Sequence, residues 1–92
     1  MDNSNLSRVV LSKAGRDAKK YLIIVGIKND DYVYISDGRL RRTESPKLKK
    51  IKHLELTDMY SEEIKNILIS GDKVSNIKIL KFLQSITHNK EV

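Results

Sequence analysis

The sequence predicts a mainly β domain, a small barrel of about five short strands followed by two C-terminal α-helices. Over the first 56 residues, short runs of apolar and β-branched residues are separated by Gly, Asn, Asp and Pro, which is typical of small barrels. Further along, apolar residues recur every three or four positions, which indicates amphipathic helices. At 92 residues the chain has room for one domain with a small core.

The first two strands are predicted most directly. Residues 8–12 are rich in β-branched side chains, and residues 21–27 form the longest apolar run. Because residues 21–27 are apolar on both faces, this strand should lie buried at the centre of the sheet. Gly26 predicts a bulge or bend within it. Residues 28–31 are Lys-Asn-Asp-Asp, which is typical of a turn.

A hairpin is predicted next. Residues 32–36 alternate like a half-buried strand, and Asp37-Gly38 predicts a tight turn into a return strand over residues 39–42. Arg39 and Arg41 would then share one face of the sheet. The remaining elements before the helices are Pro46, a basic segment over residues 47–52 and a last short strand over residues 53–56.

Two helices complete the predicted architecture. Ser61 is a plausible N-cap for the first, Gly71 is placed to end it, and the second should begin at about Asp72 or Lys73. The second helix carries an apolar stripe at helical spacing, made of Ile79, Phe82, Leu83 and Ile86. The domain organisation expected is a flexible N-terminus over residues 1–7, a barrel over residues 8–56 and a helical extension packed on it over residues 57–92.

Positive charge is concentrated in one part of the chain. The net charge of +6 belongs to residues 1–57, which hold thirteen basic and seven acidic residues, whereas residues 58–92 hold five of each. Residues 39–53 alone contain seven basic residues and one acidic residue. Such a field attracts polyanions, and nucleic acid is the commonest in a cell. A solvated face produced by Lys-rich composition is the alternative, which the clustering and the three arginines disfavour.

Three segments resemble the KOW motif, which is a strand, a loop with a defining glycine and a second strand within an SH3-like barrel. Residues 9–27 match it, with Gly15 at the glycine position, and the match continues through residues 36–41 and 46–54. In this order the segments resemble the large-subunit ribosomal protein fourteen-e family and its small bacterial relatives. The resemblance covers residues 8–56 and implies an SH3-like barrel that binds RNA, most often ribosomal RNA of the large subunit.

The candidate RNA-binding residues are mostly basic. Lys13 and Arg16 flank Gly15 and are placed to hold phosphates, while Gly15 either brings backbone close to RNA or serves only as a turn residue. His53 could stack on a base, although an exposed histidine at a strand end is the simpler interpretation. The main phosphate contacts are predicted to be Arg39, Arg41, Arg42, Lys47, Lys49, Lys50 and Lys52.

Other classes of function have little support in the sequence. There is no cysteine, there are only two histidines, and no phosphate-binding glycine motif is present, so we expect neither an enzyme nor a cofactor or metal site. With no secretory signal and no long apolar segment, we expect a cytoplasmic protein that does not contact membranes. The alternative is a protein-interaction adaptor, or a factor coupling transcription to translation, that uses the barrel or the stripe Ile79, Phe82, Leu83 and Ile86 as a docking face.

Overall fold

Five strands form a single antiparallel sheet, and two helices follow it. The computed structural model describes residues 3–13 and 19–90, and for residues 87–90 the backbone alone. The elements are β1 (Arg8–Ser12), β2 (Tyr21–Ile27), β3 (Tyr32–Ser36), β4 (Lys47–Lys50), a 3-10 turn (Ile51–His53), β5 (Leu54–Tyr60), α1 (Glu62–Ile69) and α2 (Asn76–Lys90). The predicted class, mainly β with two C-terminal helices, is confirmed. No helix among these residues is long and apolar enough to cross a bilayer.

The sheet is rolled into a barrel-like shape. Its strand order is β4-β3-β2-β1-β5, so β2 is central, as its two apolar faces predicted. The edge strands β4 and β5 are consecutive in the chain and are joined only by the 3-10 turn (Ile51–His53). Three 3-10 residues advance about 6 Å, whereas the edges of a flat five-stranded sheet lie about 19 Å apart. The sheet must therefore curl until its two edges approach each other.

Two apolar clusters lie on opposite faces of this sheet. The inner cluster fills the barrel and consists of Val10, Leu22, Ile24, Val33, Ile35 and Leu54. The outer cluster lies between the sheet and the helices and consists of Val9, Ile23, Ile64, Val74, Ile79 and Leu83. Since side chains alternate along a strand, Leu22 and Ile24 point inward while Ile23 points toward the helices. Each fully buried side chain of this size contributes about 1.5–3 kcal/mol of hydrophobic stabilisation.

The apolar stripe of α2 faces its own sheet. Ile79 and Leu83 are buried in the outer cluster, and Phe82 and Ile86 pack against it. Ile79 and Leu83 are therefore not available as a docking face for a protein partner, because they are buried against the sheet, whereas Phe82 and Ile86 keep part of their surface exposed.

The helix termini follow local capping chemistry. The Ile64 N–H donates to Ser61 Oγ at 3.2 Å, and Gly71 adopts a φ of +81° after the end of α1, as predicted. The second helix begins later than expected, at Asn76 rather than at Asp72 or Lys73. The Lys78 N–H donates to Ser75 Oγ at 3.1 Å, so this serine caps α2 and holds its start in place.

The loop after β3 differs from the prediction. Residues 39–42 do not form a return strand; the partner of β3 is instead β4 (Lys47–Lys50). The reason lies in the Asp37 carboxylate, whose Oδ1 accepts hydrogen bonds from the N–H groups of Arg39 and Arg41 at 2.8 and 2.9 Å. Asp37 and Gly38 thereby begin a ten-residue loop rather than a two-residue turn.

Three other features can be compared with expectation. The bulge predicted at Gly26 is confirmed by a shift in the β2–β3 register between Ile24 and Gly26. The turn predicted over residues 28–31 is also confirmed, since Asn29 Oδ1 accepts from two following N–H groups. The last strand is longer than predicted and runs to Tyr60, which pairs with Arg8 of β1 beyond a shift in register between Arg8 and Val10.

Candidate nucleic-acid interface

Two loops that are distant in the sequence leave the barrel at the same end. In an antiparallel meander, successive connections alternate between the two ends of the sheet, so the β1–β2 and β3–β4 loops lie together. Strands β1 and β3 both neighbour β2 and are therefore about 10 Å apart. We call this region the basic end and define it by the described residues 13, 19–20, 37–47 and 53.

The basic end carries a large net positive charge. Its acidic residues are Asp37 and Glu44, against seven basic residues, which leaves +5 (7 − 2) without counting His53. The basic residues are Lys13, Lys19, Lys20, Arg39, Arg41, Arg42 and Lys47. All of them except Arg41 and Lys47, which are half-buried, are exposed. A surface of this charge can hold phosphate groups of a nucleic acid.

The opposite end of the barrel is electrically balanced. It consists of the β2–β3 turn over residues 28–31 and of Lys50, which the register places opposite Tyr32. It holds two lysines and two aspartates, for a net charge of zero (2 − 2). We call this region the balanced end. Lys50, predicted as a phosphate contact, therefore lies away from the basic end.

The 3-10 turn between β4 and β5 is hydrogen-bonded to the β2–β3 turn through its first residue and to the end of β1 through its last. At the balanced end, the Ile51 N–H donates to the Asp31 carbonyl at 2.8 Å. At the basic end, the Lys13 N–H donates to the His53 carbonyl at 3.0 Å. His53 is thus exposed beside Lys13, and the exposed Lys52 lies between the two ends.

The lysines of β4 do not form one basic face. Lys47 and Lys49 pair with Ile35 and Val33, which point into the barrel, so both lysines lie on the inner side of this edge strand and are half-buried. Their aliphatic stems can cover apolar surface while the ammonium groups reach solvent. Lys50 lies on the outer side, with its ammonium 5.7 Å from the ring centroid of the facing tyrosine of β3.

Residues 37–46, which we call the arginine loop, are ordered by their own hydrogen bonds. Besides the two bonds to Asp37, the Arg41 carbonyl accepts from the N–H groups of Asp37 and Gly38 at 2.9 and 3.3 Å and from the Ser36 hydroxyl. This framework exposes Arg39 on the surface. Leu40, beside it, is 66% exposed, so the apolar side chain next to Arg39 also lies on the surface.

Arg42 already has a counterion within the arginine loop. Its Nε donates to Glu44 Oε2 at 2.9 Å, and both side chains are more than half exposed. This hydrogen bond, followed by one from Asn76, lowers the pKa of Glu44 to about 2, so the carboxylate is ionised at neutral pH. An exposed ion pair of this kind contributes little stability, but it compensates the charge of Arg42 locally. Arg39, which is exposed, is therefore a stronger candidate for phosphate contact than Arg42.

Two basic-end residues were not among the predicted contacts. Lys19 and Lys20 are exposed at the return of the β1–β2 loop, where the Lys19 N–H donates to the Ser12 carbonyl at 2.8 Å. Their position directly before the strongest strand was the signal that could have identified them. Of the predicted loop contacts, Gly15 and Arg16 lie outside the described residues.

Comparison with known proteins identifies a bacterial relative of the chain. No family model matches the chain. The chain is 40% identical over 55 residues to a protein of Bacillus subtilis (strain 168) described as "Putative ribosome-binding protein YbzG". The similarity covers 60% of this chain and 74% of that protein.

Proposed function

We propose that this protein, which belongs to the family of the putative ribosome-binding protein YbzG of Bacillus subtilis, associates with the ribosome. The observation that carries the proposal is the basic end, where two separate loops place five exposed basic side chains at one end of the barrel. The name of the relative and the charge of the basic end both favour the ribosome as the partner. A ribosome-associated protein of this kind acts in the cytoplasm and in translation or ribosome assembly.

The finer proposal is that the partner is ribosomal RNA of the large subunit, bound by a KOW-type barrel. Ribosomal RNA presents closely spaced phosphates, and lysine and arginine side chains neutralise them without reading base sequence. Arg39 offers a planar guanidinium that can donate two parallel hydrogen bonds to one phosphate. Shape and 2′-hydroxyl contacts would then select the RNA segment.

The proposed role is binding rather than catalysis. Among the described residues, no group of three or more His, Cys, Asp or Glu side chains is placed to hold a metal ion. The acidic pair Asp30 and Asp31 belongs to an exposed turn, which offers no water-excluding pocket for acid–base chemistry. The proposal therefore assigns the chain a binding function without a cofactor.

Sedimentation of the tagged protein in a cell-lysate gradient tests this proposal. At low salt we expect the protein in the large-subunit fractions, and at high salt we expect it to be released. A log-log slope of affinity against salt near −0.7 to −0.9 per phosphate contact would support the RNA contacts. Protein found only at the top of the gradient at low salt would contradict the association. Salt-resistant comigration would contradict binding through phosphates.

A further inference from the structure

The arginine loop is attached to a helix that lies outside the barrel. The Thr43 N–H donates to Oδ1 of Asn76, the first residue of α2, at 2.8 Å. In the other direction, Asn76 Nδ2 donates to Glu44 Oε1 at 2.7 Å. One side-chain amide thus uses its acceptor and its donor on two consecutive residues of the loop, more than thirty positions away in the sequence.

The start of the same loop also rests on α2. Gly38 has a φ of +77°, and a β-carbon there would collide with the Asn76 carbonyl oxygen and would lie 3.1 Å from the Leu80 nitrogen. The loop backbone is therefore in direct contact with the first turn of the helix. The helix is itself packed on the sheet through Ile79 and Leu83, so the contact with α2 also fixes the loop relative to the sheet.

We infer that Asn76 is a positioning residue of the basic end: it holds the arginine loop against α2, so that Arg39 and Arg41 face the RNA phosphates in a fixed geometry. This inference rests on the proposed function. Asn76 itself need not touch RNA. Its effect on binding comes from order established before the partner arrives, because a loop that must be ordered on binding lowers affinity. The inference gives the C-terminal helix a role in ribosome binding in addition to its role in the core.

The amide group is well suited to this role. Oδ1 accepts from a backbone N–H, and Nδ2 donates to a carboxylate, so both halves of the group are used. Alanine would remove both bonds. Aspartate would keep the acceptor toward Thr43 but lose the donor and place a second negative charge beside Glu44. A series of substitutions can therefore separate the two bonds.

Binding to purified large ribosomal subunits tests the inference. We expect Asn76→Ala to weaken binding about tenfold while leaving the salt slope unchanged, because the phosphate contacts are the same once formed. Asn66→Ala is the matched control, since Asn66 is an exposed asparagine on α1, and it should bind like the parent. Equal affinities of Asn76→Ala and the parent would overturn the inference. Should Asn76→Ala fail to fold, Asn76→Ser compared with Asn66→Ser gives the same test without a change of charge.

A measurement on the free protein keeps this inference separate from the proposed function. In an NMR titration, Asn76→Ala should raise the pKa of Glu44 above its parent value of about 2, because the bond from Asn76 is one of the causes of the low pKa. Asn66→Ala should leave it unmoved. An unchanged Glu44 pKa in Asn76→Ala would overturn the inference even if the ribosome is bound. If the parent does not bind the ribosome at all, the proposed function fails, and the inference fails with it.

Discussion

The two ends of the barrel are built with the same turn chemistry but differ in charge and support. At the balanced end, Asn29 Oδ1 accepts from the N–H groups of Asp31 and Tyr32, both at 2.9 Å, and closes a short turn. At the basic end, Asp37 Oδ1 accepts from two N–H groups in the same way but opens a ten-residue loop. Local side-chain-to-backbone bonds therefore shape both ends and do not account for the difference between them.

The basic end differs from the balanced end in its charge, in the length of the arginine loop and in the attachment of that loop to α2. The short turn can be fixed by one side chain, whereas a loop of ten residues loses more conformational entropy on ordering and needs a second anchor. Asn76 and the contact at Gly38 provide that anchor. A long loop is thus held in one conformation by a neighbouring helix.

The largest expected effect is the loss of ribosome binding when charge is reversed at the basic end. The triple variant Lys13→Glu, Lys20→Glu, Arg39→Glu should bind at least about 100-fold more weakly, and its salt slope should fall by about 2–3 if each side chain contacts one phosphate. The measurement is the dissociation constant for large subunits over a range of salt concentrations.

The matched control places the same reversals elsewhere. The variant Lys28→Glu, Lys73→Glu, Lys81→Glu also changes three exposed residues, and both variants lower the net charge from +6 to zero. Its affinity for large subunits should fall by less than about tenfold, because only the overall field of the protein changes. Equal losses in the two variants would break the comparison between the ends, since total charge rather than its location would then control binding.

The next effect concerns the contact of the arginine loop with α2. Gly38→Ala should reduce the free energy of unfolding by at least about 3 kcal/mol, because it combines a positive φ with overlap against the helix backbone. Gly71→Ala, with a φ of +81° and open space around it, should cost only about 1–2 kcal/mol. Urea unfolding measures both. Similar losses would show that the loop does not rest on the helix as described.

A smaller effect distinguishes the contribution of loop order to RNA binding from the contribution of charge. Asp37→Ala removes a negative charge from the basic end, so electrostatics alone predicts tighter binding to RNA. We expect binding several-fold weaker, because the loop loses the two hydrogen bonds that fix Arg39 and Arg41. Asn29→Ala removes the corresponding bonds at the balanced end, with a similar loss of about 1 kcal/mol in stability, and should leave binding unchanged. Tighter binding by Asp37→Ala would refute the importance of loop order.

The smallest effect is on the dependence of stability on pH. The pKa of Glu44 is about 2 in the folded protein, below its value of 4.5 in the unfolded chain. The stabilisation of the folded state by ionised Glu44 is therefore present above pH 4.5 and is lost as pH falls toward 2. Glu44→Gln should therefore show a smaller loss of stability than the parent between about pH 5 and pH 2.5. Urea midpoints at the two pH values give the comparison, and parallel losses would contradict the pairing of Glu44 with Arg42 and Asn76.

Much of the fold could be predicted because its signals are local. The apolar run of β2, the bulge at Gly26 and the cap at Ser61 each depend on a few adjacent residues, and each was predicted correctly. The strand β4 was missed because it is an edge strand with three lysines and a single apolar residue, a composition that protects edges from aggregation but hides the strand pattern.

The candidate site was only partly predictable. The cluster of basic residues was visible in the sequence, but the separation of Lys50 from Arg39 depends on which strand pairs with β3. Asp37-Gly38 was misread because the glycine is required by a helix that starts at Asn76, far along the chain. Contacts of this kind depend on tertiary packing, which overrides local propensity.

The most direct test of the central claim is to map where the bound protein touches RNA. Ultraviolet crosslinking of the protein on large ribosomal subunits, followed by mass spectrometry of nucleotide-bearing peptides, identifies the contacting residues. We predict adducts in peptides covering residues 13–20 and 37–47, the two loops of the basic end. Adducts confined to residues 28–31 or to the helices would contradict the assignment of the interface to this end of the barrel.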